Sequence, residues 1–457
     1  MIGTIQNAWK VPELRKKILF TVFILLVYRV GAVIPVPYVN STELGTYLDN
    51  MSGTIFDLIN AMSGGAFALA TVFALSIQPY INSSIIIQLL TVAIPALERM
   101  AKEGGEEGKK KIAAITRYTT VAIALLQGFG YFTLLRTNDL LSTNGMSMVW
   151  VGFVVVLCFT AGSAFVMWLG EQITEFGIGN GISVILFAGI IARIPAAVMS
   201  MYTGVRNWMS PIDPEQYESV GLTTAEQIAQ YENSFLHPAL VPVIVLGALA
   251  LVVFIIFISN AERRIPVQYA KRVVGRKMYG GQNSHLPLKV NMSGVMPVIF
   301  AQAIASLPAT IGAFWGKTKD SGGFWGGLLT VFDPTAIAYI IIYFFLILGF
   351  SYFYSSISFN PVEVANNLKK NGGSIPGVRP GRPTADFITK VLNKITLFGA
   401  LYLSVIAILP IVTGNISGMS TLGIGGTSVI IVVGVALETV KAMEAQMMMR
   451  HYKGFLE

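Results

Sequence analysis

The sequence predicts an all-α polytopic membrane protein of about ten transmembrane helices, and three observations carry that expectation. Hydrophobic residues make up 54% of the 457 and charged residues only 12%, with a mean hydropathy of +0.65, where soluble domains carry about 25% charged residues. Apolar runs close to the roughly 20 residues that cross a hydrocarbon core of about 30 Å recur along the whole chain. Lysine and arginine, finally, alternate with those runs in a way that fits one orientation and not the other.

The runs, in order, are Ile18–Ile34, Val72–Ile94, Thr119–Leu135, Val149–Leu169, Ile182–Met201, Leu240–Ser259, Val295–Gly312, Ala336–Phe353, Ile395–Val412 and Ser428–Met447. The first follows a basic start (Lys10, Arg15, Lys16, Lys17) and resembles a secretory signal. No small-residue cleavage site follows it, only Ile34-Pro35-Val36-Pro37, so it reads as a retained helix. Between the first and second runs lies Ile55–Met62, apolar but too short to span, broken by Ser63-Gly64-Gly65. The run after it carries Gln78, Pro79, Asn82, Ser83, Ser84 and Gln88. Two readings stand here: an extracytoplasmic loop before an ordinary span, or irregular backbone at membrane depth. The second requires that the segment lie inside protein or line a wet cavity. Five spans in each half would make the second half run opposite to the first, as in inverted repeats. The division is 1–202, an outside loop 203–238, and 239–457, with no residue-level match between the halves.

With the N-terminus inside, 26 of the 32 Lys and Arg residues fall on cytoplasmic segments, leaving Arg29, Arg136, Arg193, Arg206, Lys317 and Lys319 elsewhere. The net charge of +8 is therefore mainly a topology signal,. Trp150, Trp168, Trp208 and Trp315 sit at or just beyond span ends, where interfacial aromatics belong,. Two cytoplasmic loops are long and basic: 260–291, with Arg276 and Lys277 among seven cations, and 360–394, with Arg379 in the stiff Pro376-Gly377-Val378-Arg379-Pro380-Gly381-Arg382-Pro383. Positive-inside bias with lipid headgroup contact accounts for such charge, and so does a docking face for a large anionic partner. The outside loop Thr203–His237 is acidic and reads as a solvated cap.

Catalytic patterns are lacking in the sequence. Gly177-Ile178-Gly179-Asn180-Gly181 has no phosphate-loop lysine and reads as a turn between spans,. His237, His285 and His451 are scattered, and Cys158 is the single cysteine, so neither a zinc pattern nor a disulfide is available,. The span centres hold almost no ionisable residue, which weighs against an ion-coupled transporter. Neutral polar residues remain: Gln78, Asn82, Gln88, Gln127, Ser183, Gln302 and Ser306. Hydrogen bonds between helices account for several of them.

Several stretches together resemble the SecY family, channel-forming subunits of the bacterial Sec protein translocase. They are Tyr28-Arg29-Val30-Gly31, Met62-Ser63-Gly64-Gly65-Ala66, the run from Gln78 to Leu90, Trp168-Leu169-Gly170-Glu171-Gln172-Ile173-Thr174-Glu175, 177–183, 285–291, Asn360-Pro361, 366–370 and 425–428. The resemblance implies two five-helix halves around a central pore, through which unfolded polypeptide crosses or from which apolar helices leave sideways. It implies a plug over about 55–70, with Ile55, Phe56, Leu58, Ile59, Met62, Gly64 and Gly65, and a pore ring of Ile77, Ile81, Leu186, Ile299 and Ile431. Leu186 departs from the usual isoleucine but stays aliphatic. Val72–Ile94 would form one wall of a lateral gate facing Val295–Gly312 and Ala336–Phe353, with Asn82, Gln88, Gln127 and Gln302 as its polar residues. Ile77 and Ile81, four apart, would point the same way on one helix. Arg276 and Lys277 would contact a ribosome or motor, and Arg379 the SecA ATPase. The implied partners are small subunits of SecE and SecG type, SecA, the ribosome, substrates with signal sequences and lipid. The implied place is the bacterial cytoplasmic membrane with both termini inside, and no cofactor is implied. The outside loop is longer than the family pattern. A small-solute secondary transporter and a polytopic membrane enzyme are the competing classes.

Overall fold

The computed structural model describes residues 2–49, 60, 62–102, 104–143, 145–211, 231, 235–269, 272–274, 277–279, 283–314, 322–333, 336–417 and 426–453. Sixteen helices are described: α1 Ile2–Lys10, α2 Pro12–Gly31, α3 Ser41–Asp49, α4 Gln78–Ala93, α5 Pro95–Lys102, α6 Gly105–Thr137, α7 Met148–Phe176, α8 Gly181–Ile191, α9 Ile194–Met209, α10 Leu240–Asn260, α11 Met296–Phe314, α12 Gly323–Val331, α13 Ile337–Ser358, α14 Pro361–Lys370, α15 Arg382–Ser417 and α16 Gly426–Lys453. Their starts follow local chemistry. Prolines pre-set the first turns of α2, α4 and α14, where no backbone donor is needed,. Side-chain oxygens of Ser147, Asn180 and Asn360 accept from the first free N–H groups of α7, α8 and α14,.

Helices occupy all ten expected spans. By length and composition six qualify alone, namely α6, α7, α8 running on into α9, α10, α13 and α15, and the bent pair α4–α5 makes a seventh. The helices on the other three spans, α2, α11 and α16, are shorter or carry more charge.

One expected span is corrected. Val72–Ile94 is helical only from Gln78, and the chain turns by 104° between α4 and α5 at Ile94. Residues 64–77 run as successive turns, with positive φ at Gly64, Gly65, Ala70 and Ser76. Protein groups satisfy this irregular backbone. Val72 N–H donates to the Ile34 carbonyl (2.9 Å) and Val36 N–H to the Ala70 carbonyl (3.0 Å). The Tyr131 hydroxyl donates to the Phe67 carbonyl (2.6 Å), the Ser163 hydroxyl to that of Ser76 (3.3 Å), and Tyr28 and Ser76 share a hydrogen bond of 3.2 Å. Ala70, Thr71 and Ala74 are fully buried. Of the two readings of this stretch, irregular backbone held inside protein is the one observed.

A second correction concerns the two basic loops. Asn260–Asn291 holds strand β1 Glu262–Tyr269, a hairpin of β2 Arg272–Val274 and β3 Lys277–Tyr279, and β4 Asn283–Lys289. The other loop supplies β5 Gly373–Ser374. β1 is central: it pairs antiparallel with β4 from Glu262↔Lys289 to Gln268↔Asn283, and with β5 at Gln268↔Ser374. The fold is thus helical in its spans with a small sheet on one side. Ile265, Val267, Leu288, Leu368, Ile375 and Ile388 form a core beneath that sheet.

The spans close into a circuit of neighbours. α4 packs on α6, α6 on α7, α7 on α8, α8 on α16, α16 on α15, α15 on α13, α13 on α11, and α11 returns to α4. α10 sits outside the circuit against α16, with only Ile255 and Ile258 buried, and shows apolar side chains on its remaining surface.

Candidate functional site

Three main helix contacts join the earlier spans of that circuit to the later ones: α4 with α11, α6 with α11, and α8 with α16. Four of the five expected ring residues lie on α4, α8, α11 and α16, and the fifth, Ile77, just before α4. Ile77, Leu186 and Ile431 are 1% exposed, Ile299 3% and Ile81 4%. All five belong to one contiguous apolar cluster. Ile77 is the cap residue preceding α4 rather than part of the helix, yet its carbonyl accepts from Ile81 N–H at 3.1 Å, so the two stand one turn apart,.

Of the expected plug, Ile55, Phe56, Leu58 and Ile59 lie outside the described residues, while Met62, Gly64 and Gly65 are described. The chain at Met62–Gly64 is gripped from three sides. A methyl group on Gly64 would stand 2.8 Å from the Gly189 carbonyl oxygen, and one on Gly189 of α8 2.6 Å from the Met62 carbonyl oxygen. No side chain fits between these backbones, and Gly64 has a φ of +69°,. Arg29 of α2 donates to the Gly64 carbonyl at 3.4 Å. Gln302 of α11 donates from Nε2 to the Met62 sulfur at 3.4 Å.

The four expected polar gate residues do not form one cluster in the described contacts. Gln302 is buried and turned to Met62, with its Oε1 unpaired among the described residues. Gln88 donates to Ser84 Oγ one turn back on α4 (3.2 Å). Asn82 is buried and Gln127 half-buried. α11 lies against α4 and α6, whereas α13 packs chiefly on α11 and α15. α13 meets the α4 side where Tyr354 lines a shared cavity. Arg276 lies outside the described residues, Lys277 opens β3, and Arg379 is exposed, its carbonyl accepting from Thr384 Oγ1 (2.8 Å).

Below the ring opens a chamber of two lobes. The lobe beside α4 has a volume of about 420 Å³ and is lined by Ile81, Gln88, Arg117, Glu171, Glu175 and Ile299 among others. The second, about 270 Å³, holds Lys289, Glu438 and Lys441, and both lobes share Asn180, Met296 and Tyr354. Arg117 Nε donates to Glu171 Oε1 at 2.8 Å. Sequence reasoning missed these charges as a group. In the sequence Arg117 is one of the 26 cytoplasmic-side cations that signal topology, and Glu171 and Glu175 lie in a family stretch that assigns them no role. The four-residue spacing of the two glutamates was the signal at hand.

The SecY family model matches residues 71–440. The protein translocase subunits SecY of Streptomyces coelicolor and Bacillus subtilis are 43% and 42% identical to the chain, over all of it and all of each relative. The chain belongs to the SecY family. Its architecture also matches solved SecY-type structures. A protein-conducting channel superposes with a TM-score of 0.61 at 17% identity, covering 96% of both chains. Sec61 of a canine ribosome–channel complex from the endoplasmic reticulum gives 0.58, also at 17% identity and 96% coverage of both. SecY membership accounts for the motifs of the sequence, and the neighbours share its fold.

Proposed function

We propose that this chain is the protein-conducting channel of a general secretory pathway. Unfolded polypeptide crosses through the collar of Ile77, Ile81, Leu186, Ile299 and Ile431, and apolar segments leave sideways into lipid between α4 and α11. The observation that carries this reading is the burial of those five aliphatic side chains in one apolar cluster, on segments that meet where α4 packs on α11 and α8 on α16. A path for chains of any sequence needs a wall without fixed charge or strong hydrogen bonding, and an aliphatic constriction limits ion leak by dewetting. Met62–Gly64 then anchors a plug, and residues 1–202 and 239–457 act as two inverted halves joined by 203–238. The family supports protein as cargo, since the relatives are named protein translocase subunits. The small-solute transporter finds no support among them.

The same reading supplies partners. Relatives of this fold are described in ribosome complexes, so a ribosome docks on the cytoplasmic side through the β2–β3 hairpin with Arg276 and Lys277. A SecA motor engages Arg379, small SecE- and SecG-type subunits flank the spans, and the chain resides in a bacterial cytoplasmic membrane with both termini inside.

The test is conductance of the purified channel in planar bilayers. Ile81→Asp and Ile299→Asp should each raise resting ion leak at normal membrane abundance, because a carboxylate hydrates the collar. If these side chains merely pack helices, burying the charge costs several kcal/mol and the proteins fail to accumulate. Normal abundance with no added conductance in both variants would sink the collar. For orientation, single cysteines at Ser219 and Ser374 in a Cys158→Ser background should label from opposite sides.

A further inference from the structure

We propose that the lobe of the chamber beside α4 is a binding site for the cationic flank of the segment being transported, with Glu175 as its charge contact. This deepens the channel reading and rests on it. A segment leaving between α4 and α11 lays its apolar stretch along that contact, and its cytoplasmic flank then lies in the space at the foot of the same two helices. That space is the 420 Å³ lobe, to which α4 contributes Ile81, Ser84 and Gln88, and α11 contributes Ile299 and Phe300. The chemistry of such a flank is known in general terms. Secretory signals begin with a positively charged stretch before their apolar core, and membrane spans carry Lys and Arg at their cytoplasmic ends.

The charges of the two lobes differ in sign. In the gate-side lobe one arginine faces two glutamates, and Arg117 is committed to Glu171 at 2.8 Å. Glu175, one turn further along α7, is exposed to the cavity and makes no ion pair among the described residues. In the other lobe two lysines, Lys289 and Lys441, face the single carboxylate of Glu438. The cytoplasmic segments hold most of the chain's Lys and Arg, so a cavity of net negative charge is not a by-product of composition. A half-enclosed cavity between low-dielectric walls concentrates the field of its charges. A cation entering the chamber is drawn to the α4 side and repelled from the far side, which places its apolar neighbour at the α4–α11 contact. Ser84, Gln88 and Thr174 offer neutral hydrogen-bonding groups around the same space.

The experiment measures export into membrane vesicles carrying the full channel complex, with membrane abundance determined in parallel. Three substrates differ only in the flank before the apolar core, which holds two lysines, two glutamines or two glutamates. The readout is the rate for each charged flank divided by the rate for the glutamine flank in the same vesicles, which removes lipid and motor contributions common to all variants. Glu175→Gln should lower the lysine-to-glutamine ratio about two- to fivefold, as a partly exposed charge pair allows. Glu175→Lys should lower it further and raise the glutamate-to-glutamine ratio. Arg117→Gln, which uncovers Glu171, should move the lysine ratio upward. Ratios that are the same in all four channels overturn the site. Failure of the unaltered channel to carry even the glutamine-flank substrate would instead overturn the channel reading on which it rests.

Discussion

The buried segment from Met62 to Ile77 and the exposed sheet of β1, β4 and β5 are both places where the membrane helices give way to other backbone, and they solve opposite problems. Inside the circuit every carbonyl and N–H must find protein, so the segment is tied to α2, α6 and α7 by single side-chain bonds and fits where glycines remove all bulk,. Outside, strands pair with each other over a modest apolar core, and charged side chains such as Arg264, Arg379 and Lys370 stay in water. The difference teaches where a substitution acts. On the proposed function, a substitution in the segment changes closure and stability, and one at the sheet changes what docks.

The largest expected effect tests the tightness of the interior. A side chain at Gly162 of α7 would run into the Val72 carbonyl. Gly162→Val should therefore destabilise by about 1–3 kcal/mol or more, since overpacked sites relax only by moving backbone. Thermal unfolding in detergent and membrane abundance measure this, and an unchanged midpoint would mean the segment is loose.

An intermediate effect sharpens the same point at one hydrogen bond. Tyr131→Phe keeps the ring stacked on Phe67, whose centroid is 4.6 Å away, but removes the donor to the Phe67 carbonyl. The cost should be about 0.5–1.5 kcal/mol, seen as a lower unfolding midpoint and raised resting conductance. A neutral outcome on both would show that another donor replaces the hydroxyl.

The smallest structural effect belongs to the exposed loop. Arg379→Glu should leave stability within about 0.5 kcal/mol, as surface changes away from special features do, and yet abolish motor-driven export. Undiminished export would remove the motor contact, and a large loss of stability would break the contrast between the two regions.

Much of the molecule was legible in the sequence because hydropathy and charge are additive along a chain. Spans of about 20 apolar residues fix the helices without knowledge of packing, and the distribution of Lys and Arg gives the orientation proposed above. The family motifs supply the proposed ring positions, and the breaks at Ser63-Gly64-Gly65 and Pro79 announce backbone that is not an ordinary span. Tertiary structure decided what depends on segments distant in sequence. The start of α4 only at Gln78 follows from donors on α6 and α7 that compete for the backbone before it. β5 joins β1 across more than a hundred residues, so two loops that read separately become one sheet. Arg117 and Glu171 are 54 positions apart and meet only because α6 packs on α7. Periodicity within a helix shows which side chains share a face, whereas the partner of that face is set by packing between helices, and there the sign of the chamber's two lobes is decided.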